Sequence, residues 1–213
     1  MEKPTTDLST LQDIKKIMER SSRFISLSGW SGIAAGLCAL AGAGMAKIRI
    51  DAYFKEVAST GNGCTSCLKY DLILIAAIVF LAALIAAIIF TYFKSKSDGV
   101  PIWGATSKRL LWNTLLPMLT GGVFILKLIL IEEVGLIAPS ALIFYGLALI
   151  NGSKYTMGDI RYLGYAQLLL GMICLFAPGS GLIYWALGFG VFHIIYGILM
   201  WRYHDNNEED TEI

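Results

Sequence analysis

The sequence predicts an all-α polytopic membrane protein whose six transmembrane helices run as three successive hairpins. Two observations and one physical constraint carry that fold class. Of 213 residues, 56% are hydrophobic and 15% charged, with a mean hydropathy of +0.64, where a soluble domain carries about 25% charged residues. Six apolar runs, at about 24–46, 72–93, 110–131, 134–150, 162–178 and 182–201, have the roughly 17 to 25 residues that cross a hydrocarbon core. Water is absent from that core, so backbone polar groups must pair within the segment, and runs of this length become helices.

Taken in order, residues 1–23 form a polar lead-in. Within it "LSTLQDIKKIMER" (8–20) puts Leu8, Leu11, Ile14 and Met18 near one face, with Lys15, Lys16 and Arg20 elsewhere. That pattern suits either an amphipathic helix on the inner leaflet or a solvated approach to the first span. The first run exceeds the roughly 7 to 15 apolar residues of a signal core, and despite the small residues of "AGAGMA" the expectation is that it is retained. Ser28, Gly32 and Gly36 recur in it every four residues, with Gly44 two turns beyond. Helices in lipid associate through small residues and hydrogen bonds, so this span is expected at the centre of the bundle.

Residues 47–71 follow as a loop on the other side of the membrane, ending in "GNGCTSCLKYD" with its Cys64-x-x-Cys67 pair. Span two has no polar residue before Thr91 and is expected to face lipid. After an inner loop at 94–109, span three carries Asn113, Thr120 and Lys127 at seven-residue intervals, predicting one inward polar face. Pro117 lies between them and frees the carbonyl of Asn113. Span four leads through "NGSKY" to span five, with Gly164, Gln167, Gly171 and Cys174 on one stripe. Span six has Ala186, Gly190, His193 and Gly197 on another, which points His193 inward. Spans four and six share a faint echo, Tyr145-Gly146 and Tyr196-Gly197. The tail, 203–213, is acidic and reads as disordered.

An even number of spans puts both termini on one side. Twelve of the seventeen basic residues fall on that side, Lys47, Arg49, Lys55 and Lys69 on the other, and Lys127 within span three. The positive-inside rule then makes both ends cytoplasmic. A net charge of +1 leaves no footprint for nucleic acid.

Chemistry is sparse. Asn113, Thr120, Lys127, Gln167 and His193 form the candidate intramembrane polar site, since an ionisable group in a span is a functional hypothesis by default. Lys127, near a helix end, also suits snorkelling, and His193 hydrogen-bonded to Gln167 or Tyr165 suits a structural role. "GWSG" (29–32) resembles the Gly-x-Ser-Gly around the nucleophile of rhomboid intramembrane proteases, which would pair Ser31 with His193. Here, however, the serine stands on the first span rather than the fourth. His193 and His204 are eleven residues apart, about 16 Å along a helix, too far to ligate one haem from opposite sides. No catalytic, metal or cofactor motif of useful specificity appears. The pair Cys64 and Cys67 leaves three readings open: a local disulfide on an oxidising side, a redox pair at a helix N-terminus, or half of a metal site short of ligands.

With "SSRFISLSGWSGIAAGL" at the first span and "LALINGSKYTMGDIRYLGYAQLLLG" from the fourth to the fifth, the chain resembles a family of six-span bacterial inner-membrane proteins with no assigned activity. The resemblance implies a bacterial inner-membrane location and six spans, and it transfers no catalytic residue. The functional expectation is a non-enzymatic membrane module that binds a cytoplasmic protein partner, or a second copy, through the N-terminal segment and the 94–109 loop. Its alternatives are a small-solute or proton-coupled transporter along spans three, five and six, and a Ser31/His193 hydrolase. Ser28, Gly32, Gly36, Gly190 and Gly197 are assigned to helix packing.

Overall fold

A computed structural model describes residues 28–97, 103–156 and 159–202. The described chain is all-helical, with helices α1 (Gly29–Thr60), α2 (Thr65–Ser97), α3 (Ala105–Leu130), α4 (Ile137–Gly152), α5 (Ile160–Leu175) and α6 (Gly181–Met200). Short 3-10 turns precede α4 (Val134–Leu136) and follow it (Ser153–Tyr155). The amphipathic segment expected within 1–23, most of the 94–109 loop's centre and the acidic tail 203–213 lie outside the described residues.

Among the described residues five helical segments are long and apolar enough to cross a membrane, and the chain is a multi-pass membrane protein of helical-bundle type. The expected fifth span, 162–178, is the departure: α5 is a 16-residue apolar helix, about 24 Å long against a core of about 30 Å. Pro178 disfavours helical backbone at Ala177, and Gly179 takes a left-handed φ of 81°, so the chain turns within a few residues of Leu175.

The outer loop expected at 47–71 is the second correction. Only 61–64 interrupt helix there, because α1 continues for 32 residues and α2 for 33. "KIRIDAYFKEVAST" ends the apolar run but contains no helix breaker, and Lys47 pairs with Asp51 one turn on at 2.5 Å. Helix α1 stops where Gly61, at φ 71°, sends its N–H back to the Val57 carbonyl at 2.9 Å. Charge had ended the span, and glycine ended the helix.

Helix α1 packs on α2 along one side and α6 along the other, while α4 packs on α5, α6 and α3. The first span is expected at the centre, but α1 has two main helix neighbours, α2 and α6, whereas α4 has three, so the central position belongs to α4. Helix α2 is exposed along nearly its whole length, with Val79 and Ser95 its buried residues. The apolar core lies between α4, α5 and α6, where Leu142, Leu170 and Cys174 meet Ala138, Tyr184, Phe189 and Phe192.

The contact of α1 with α6 runs through the glycines assigned to packing. A methyl group on Gly36 would lie 2.7 Å from the Gly190 carbonyl oxygen, and one on Gly197 would lie 2.6 Å from that of Gly29. Only a residue without a side chain admits such an approach. Gly146 and Gly164 do the same between α4 and α5, at 2.8 and 2.9 Å from each other's carbonyl oxygens. The two tyrosine-glycine pairs of spans four and six thus each supply a crossing point.

Candidate functional site: a buried Tyr-His-Gln cluster

Helix α6 is not a regular α-helix. Its middle, Ala186–Phe192, is π-helical, flanked by α-helical turns at Gly181–Trp185 and His193–Met200. A π turn widens the helix and is frequent at functional positions. Here the His193 ring reaches back five residues, one π turn, to the carbonyl of its own helix at Gly188.

Three helices meet around that carbonyl and the His193 ring. His193 Nδ1 lies 3.0 Å from the Gly188 oxygen, Gln167 of α5 donates to the same oxygen through Nε2 at 2.7 Å, and Tyr145 Oη of α4 lies 2.9 Å from His193 Nε2. The proton positions follow from these partners. A carbonyl oxygen can only accept, so Nδ1 carries the hydrogen, and the neutral ring's Nε2 takes the Tyr145 hydroxyl proton into a hydrogen bond. Gln167 Nε2 and His193 Nδ1, 3.4 Å apart, are then two donors sharing one acceptor rather than partners of each other.

Burial makes the arrangement costly to leave incomplete. Gln167 is fully buried and His193 is 7% exposed, and Gln167 Oε1 is the one buried side-chain nitrogen or oxygen without a hydrogen-bond partner among the described residues. Its carboxamide cannot turn over to satisfy that oxygen without setting it against the Gly188 carbonyl. Phe189 stacks on His193 with centroids 6.0 Å apart and meets the Tyr145 ring at 5.0 Å, tilted by 45°, closing the apolar side of the cluster.

Of the five residues expected in one polar site, the structure brings together Gln167 and His193. Thr120 and Lys127 are exposed on α3, and Thr120 Oγ1 donates to the Leu116 carbonyl of its own helix at 2.9 Å. Span three therefore does not present the shared inward face that its spacing predicts. Asn113 belongs to a second, separate contact: its carbonyl accepts from Asn151 Nδ2 of α4 at 2.9 Å. Pro117 stands four residues beyond and has no N–H for that carbonyl, so the side chain of another helix supplies the donor.

Tyr145, and not Tyr165, is the aromatic partner of His193, since Tyr165 is 52% exposed. Sequence reasoning missed Tyr145, Asn151 and the Gly188 carbonyl. A signal existed for the first two. Tyr145 stands one residue from the crossing glycine of span four, and Asn151, just past the end of that span, is the single carboxamide of α4.

Ser31 is buried on α1, and its Oγ donates to the Ser28 carbonyl at 2.6 Å. Both ring nitrogens of His193 face Tyr145 and Gly188, so the Ser31/His193 dyad is not formed in this geometry. At the far end of α1, the sulfurs of Cys64 and Cys67 lie at disulfide distance, 2.02 Å. Arg49 pairs with Asp71 across the hairpin, Tyr53 Oη lies 2.8 Å from Thr65 Oγ1, and Lys69 Nζ lies 3.5 Å from a carboxylate oxygen of Glu132. No group of three or more histidine, cysteine, aspartate or glutamate side chains placed to hold a metal occurs among the described residues.

No family model, curated protein or solved structure matches the chain. The resemblance to six-span inner-membrane proteins therefore rests on the two quoted stretches alone, and what the site does has to be argued from its chemistry.

Proposed function

We propose that the protein is a non-enzymatic membrane module that displays a rigid helical prong to a protein partner. The observation that carries this reading is the length of the α1–α2 hairpin. Helices of 32 and 33 residues run about 48 Å, and a bilayer core accounts for about 30 Å of it. Roughly 18 Å is left to project, and the end with Gly61 is the polar one. Lys47, Arg49, Asp51, Lys55, Glu56, Lys69 and Asp71 cluster there, and two of the pairs they make, Lys47 with Asp51 and Arg49 with Asp71, hold its shape.

By the distribution of basic residues this is the side away from the cytoplasm, and, with the short α5 counted as a crossing, both termini lie on the cytoplasmic side of a bacterial inner membrane. The reading keeps the partner-binding class expected from the sequence and adds a surface on the opposite face from the N-terminal segment. A photo-crosslinking residue at Lys55, compared with one at lipid-facing Ile88, tests it in intact membranes. The expected result is one discrete, saturable protein adduct from position 55 that is lost on Glu56→Lys and kept on deletion of 1–20. Adducts only to lipid or to a second copy would overturn it.

One observation favours a second reading, a proton- or small-solute-coupled transporter. Gln167 Oε1 is an unmatched acceptor inside the membrane domain, beside an imidazole and a phenol. On that reading His193→Ala abolishes flux in vesicles with expression intact, and an unchanged flux removes it.

A further inference from the structure

We propose that Cys64 and Cys67 form a redox-active disulfide at the tip of the prong, one that exchanges with a dithiol of a partner protein. The inference stands apart from the docking role above, because a prong can dock without exchanging thiols.

Its position argues against a staple. The bridge does not join α1 to α2: both sulfurs belong to the start of α2, at a sequence separation of 3. A ring that short restrains little of the unfolded chain, since loop-closure stabilisation grows with loop length. The two helices are already tied by the Arg49–Asp71 ion pair and the Tyr53–Thr65 hydrogen bond. Opening the bridge therefore leaves the hairpin closed.

Its surroundings suit exchange. Cys64 and Cys67 are both exposed, and exposed disulfides are the labile ones. Cys64 is the capping residue of α2: its carbonyl accepts the Leu68 N–H at 3.1 Å and its Sγ accepts the Cys67 N–H at 3.2 Å. A thiolate released at Cys64 would sit where serine or aspartate caps a helix, with that amide and the positive end of a 33-residue helix to hold its charge. Beside the sulfurs lies a depression of about 90 Å³ bordered by Arg49, Tyr53, Glu56 and Asp71, open to an incoming side chain.

The chemistry is a two-step exchange. A partner thiolate attacks Cys67 Sγ, the Cys64–Cys67 bond breaks, and the bonding pair leaves on Cys64 as the capped thiolate. The partner's second thiolate then attacks the partner sulfur of the mixed disulfide and releases Cys67. The partner leaves oxidised to a disulfide, the pair is left as a dithiol, and the two protons come from the partner's thiols.

The test uses the full chain in lipid nanodiscs with Cys38→Ser and Cys174→Ala, so that the two remaining cysteines report alone. Reduced glutathione and dithiothreitol are the probes, with mass spectrometry after alkylation and circular dichroism for helix content. The expected result is full reduction of the pair with helix content unchanged. A bridge that yields thiols only once the protein is unfolded would overturn the proposal. In Cys67→Ser the lone Cys64 should react with iodoacetamide at neutral pH at least tenfold faster than the lone Cys67 of Cys64→Ser. Equal rates would overturn the role given to the cap.

Discussion

Helix α6 presents two faces that solve the same problem by opposite means. Toward α1 it offers Gly190 and Gly197, and the backbones approach until a methyl group would touch the opposing carbonyl. Toward α4 and α5 it offers the His193 ring and the Gly188 carbonyl, and three polar side chains fill the gap. Lipid tails are as apolar as leucine, so burying apolar surface separates neither case from the dissociated helices. What remains is close packing on one face and hydrogen bonding on the other. The glycine face tolerates no added atom, whereas the polar face tolerates no lost partner. Substitutions on the two faces should therefore fail differently.

The largest effect is expected on the glycine face. Gly197→Leu would drive its Cβ to within 2.6 Å of the Gly29 carbonyl oxygen and 2.8 Å of the Ile33 nitrogen, both backbone atoms of α1 that cannot rotate away. The cost should lie at or above the top of the about 1 to 3 kcal/mol typical of overpacking, read as the shift in a detergent-titrated unfolding midpoint. Gly44→Leu is the control: nothing lies within 4 Å of its added Cβ, so its midpoint should not move. Equal shifts for the two would show that α1 and α6 do not meet as described.

On the polar face His193→Ala should cost about 2 kcal/mol, from two hydrogen bonds at roughly 0.6 each, with a maximum near 1.7, and the space the ring leaves. The diagnostic is its coupling with Tyr145→Phe. The two removals share the Tyr145–His193 bond, so the double variant should cost less than the sum of the singles. Strict additivity would mean that the 2.9 Å contact contributes nothing. Gln167→Leu should fall below both. It removes the bond to Gly188 but also the unmatched Oε1, so the net change should stay within about 1 kcal/mol. A loss several times larger would mean that Oε1 has a partner in the membrane.

How far these two faces were legible in the sequence differs for a physical reason. Small residues every fourth position declare a close helix contact, so Gly32, Gly36, Gly190 and Gly197 could be placed, and the shared stripe turned His193 inward. Periodicity within one helix cannot say which other helix arrives, so Tyr145 was not paired with His193 nor Asn151 with the carbonyl freed by Pro117. The π turn was hidden for the same reason. Gly190 read as a packing glycine, and nothing in the sequence set apart Gly188, which offers the acceptor shared by Gln167 and His193. At the prong, hydropathy marked where the membrane ends and was read as where the helix ends, and only Gly61 marks the latter.

The smallest effect is expected where the sequence placed a site and the structure does not. Asn113, Thr120 and Lys127 share a face by spacing, but α3 meets α4 through Gly121, packed on Phe144, and through Thr114, packed on Gly152. That contact face lies one residue, about 100° around the helix, from Thr120. The Thr120 hydroxyl already returns its proton to Leu116 within α3, so lipid never meets an unpaired donor. Thr120→Val keeps the shape, removes donor and leaves the Leu116 carbonyl in its helix bond, and its midpoint should stay within about 0.5 kcal/mol of the parent. A loss near that of His193→Ala would mean that the Thr120 face is covered in the membrane, by a second copy or a partner helix, and that α3 has an inner face after all.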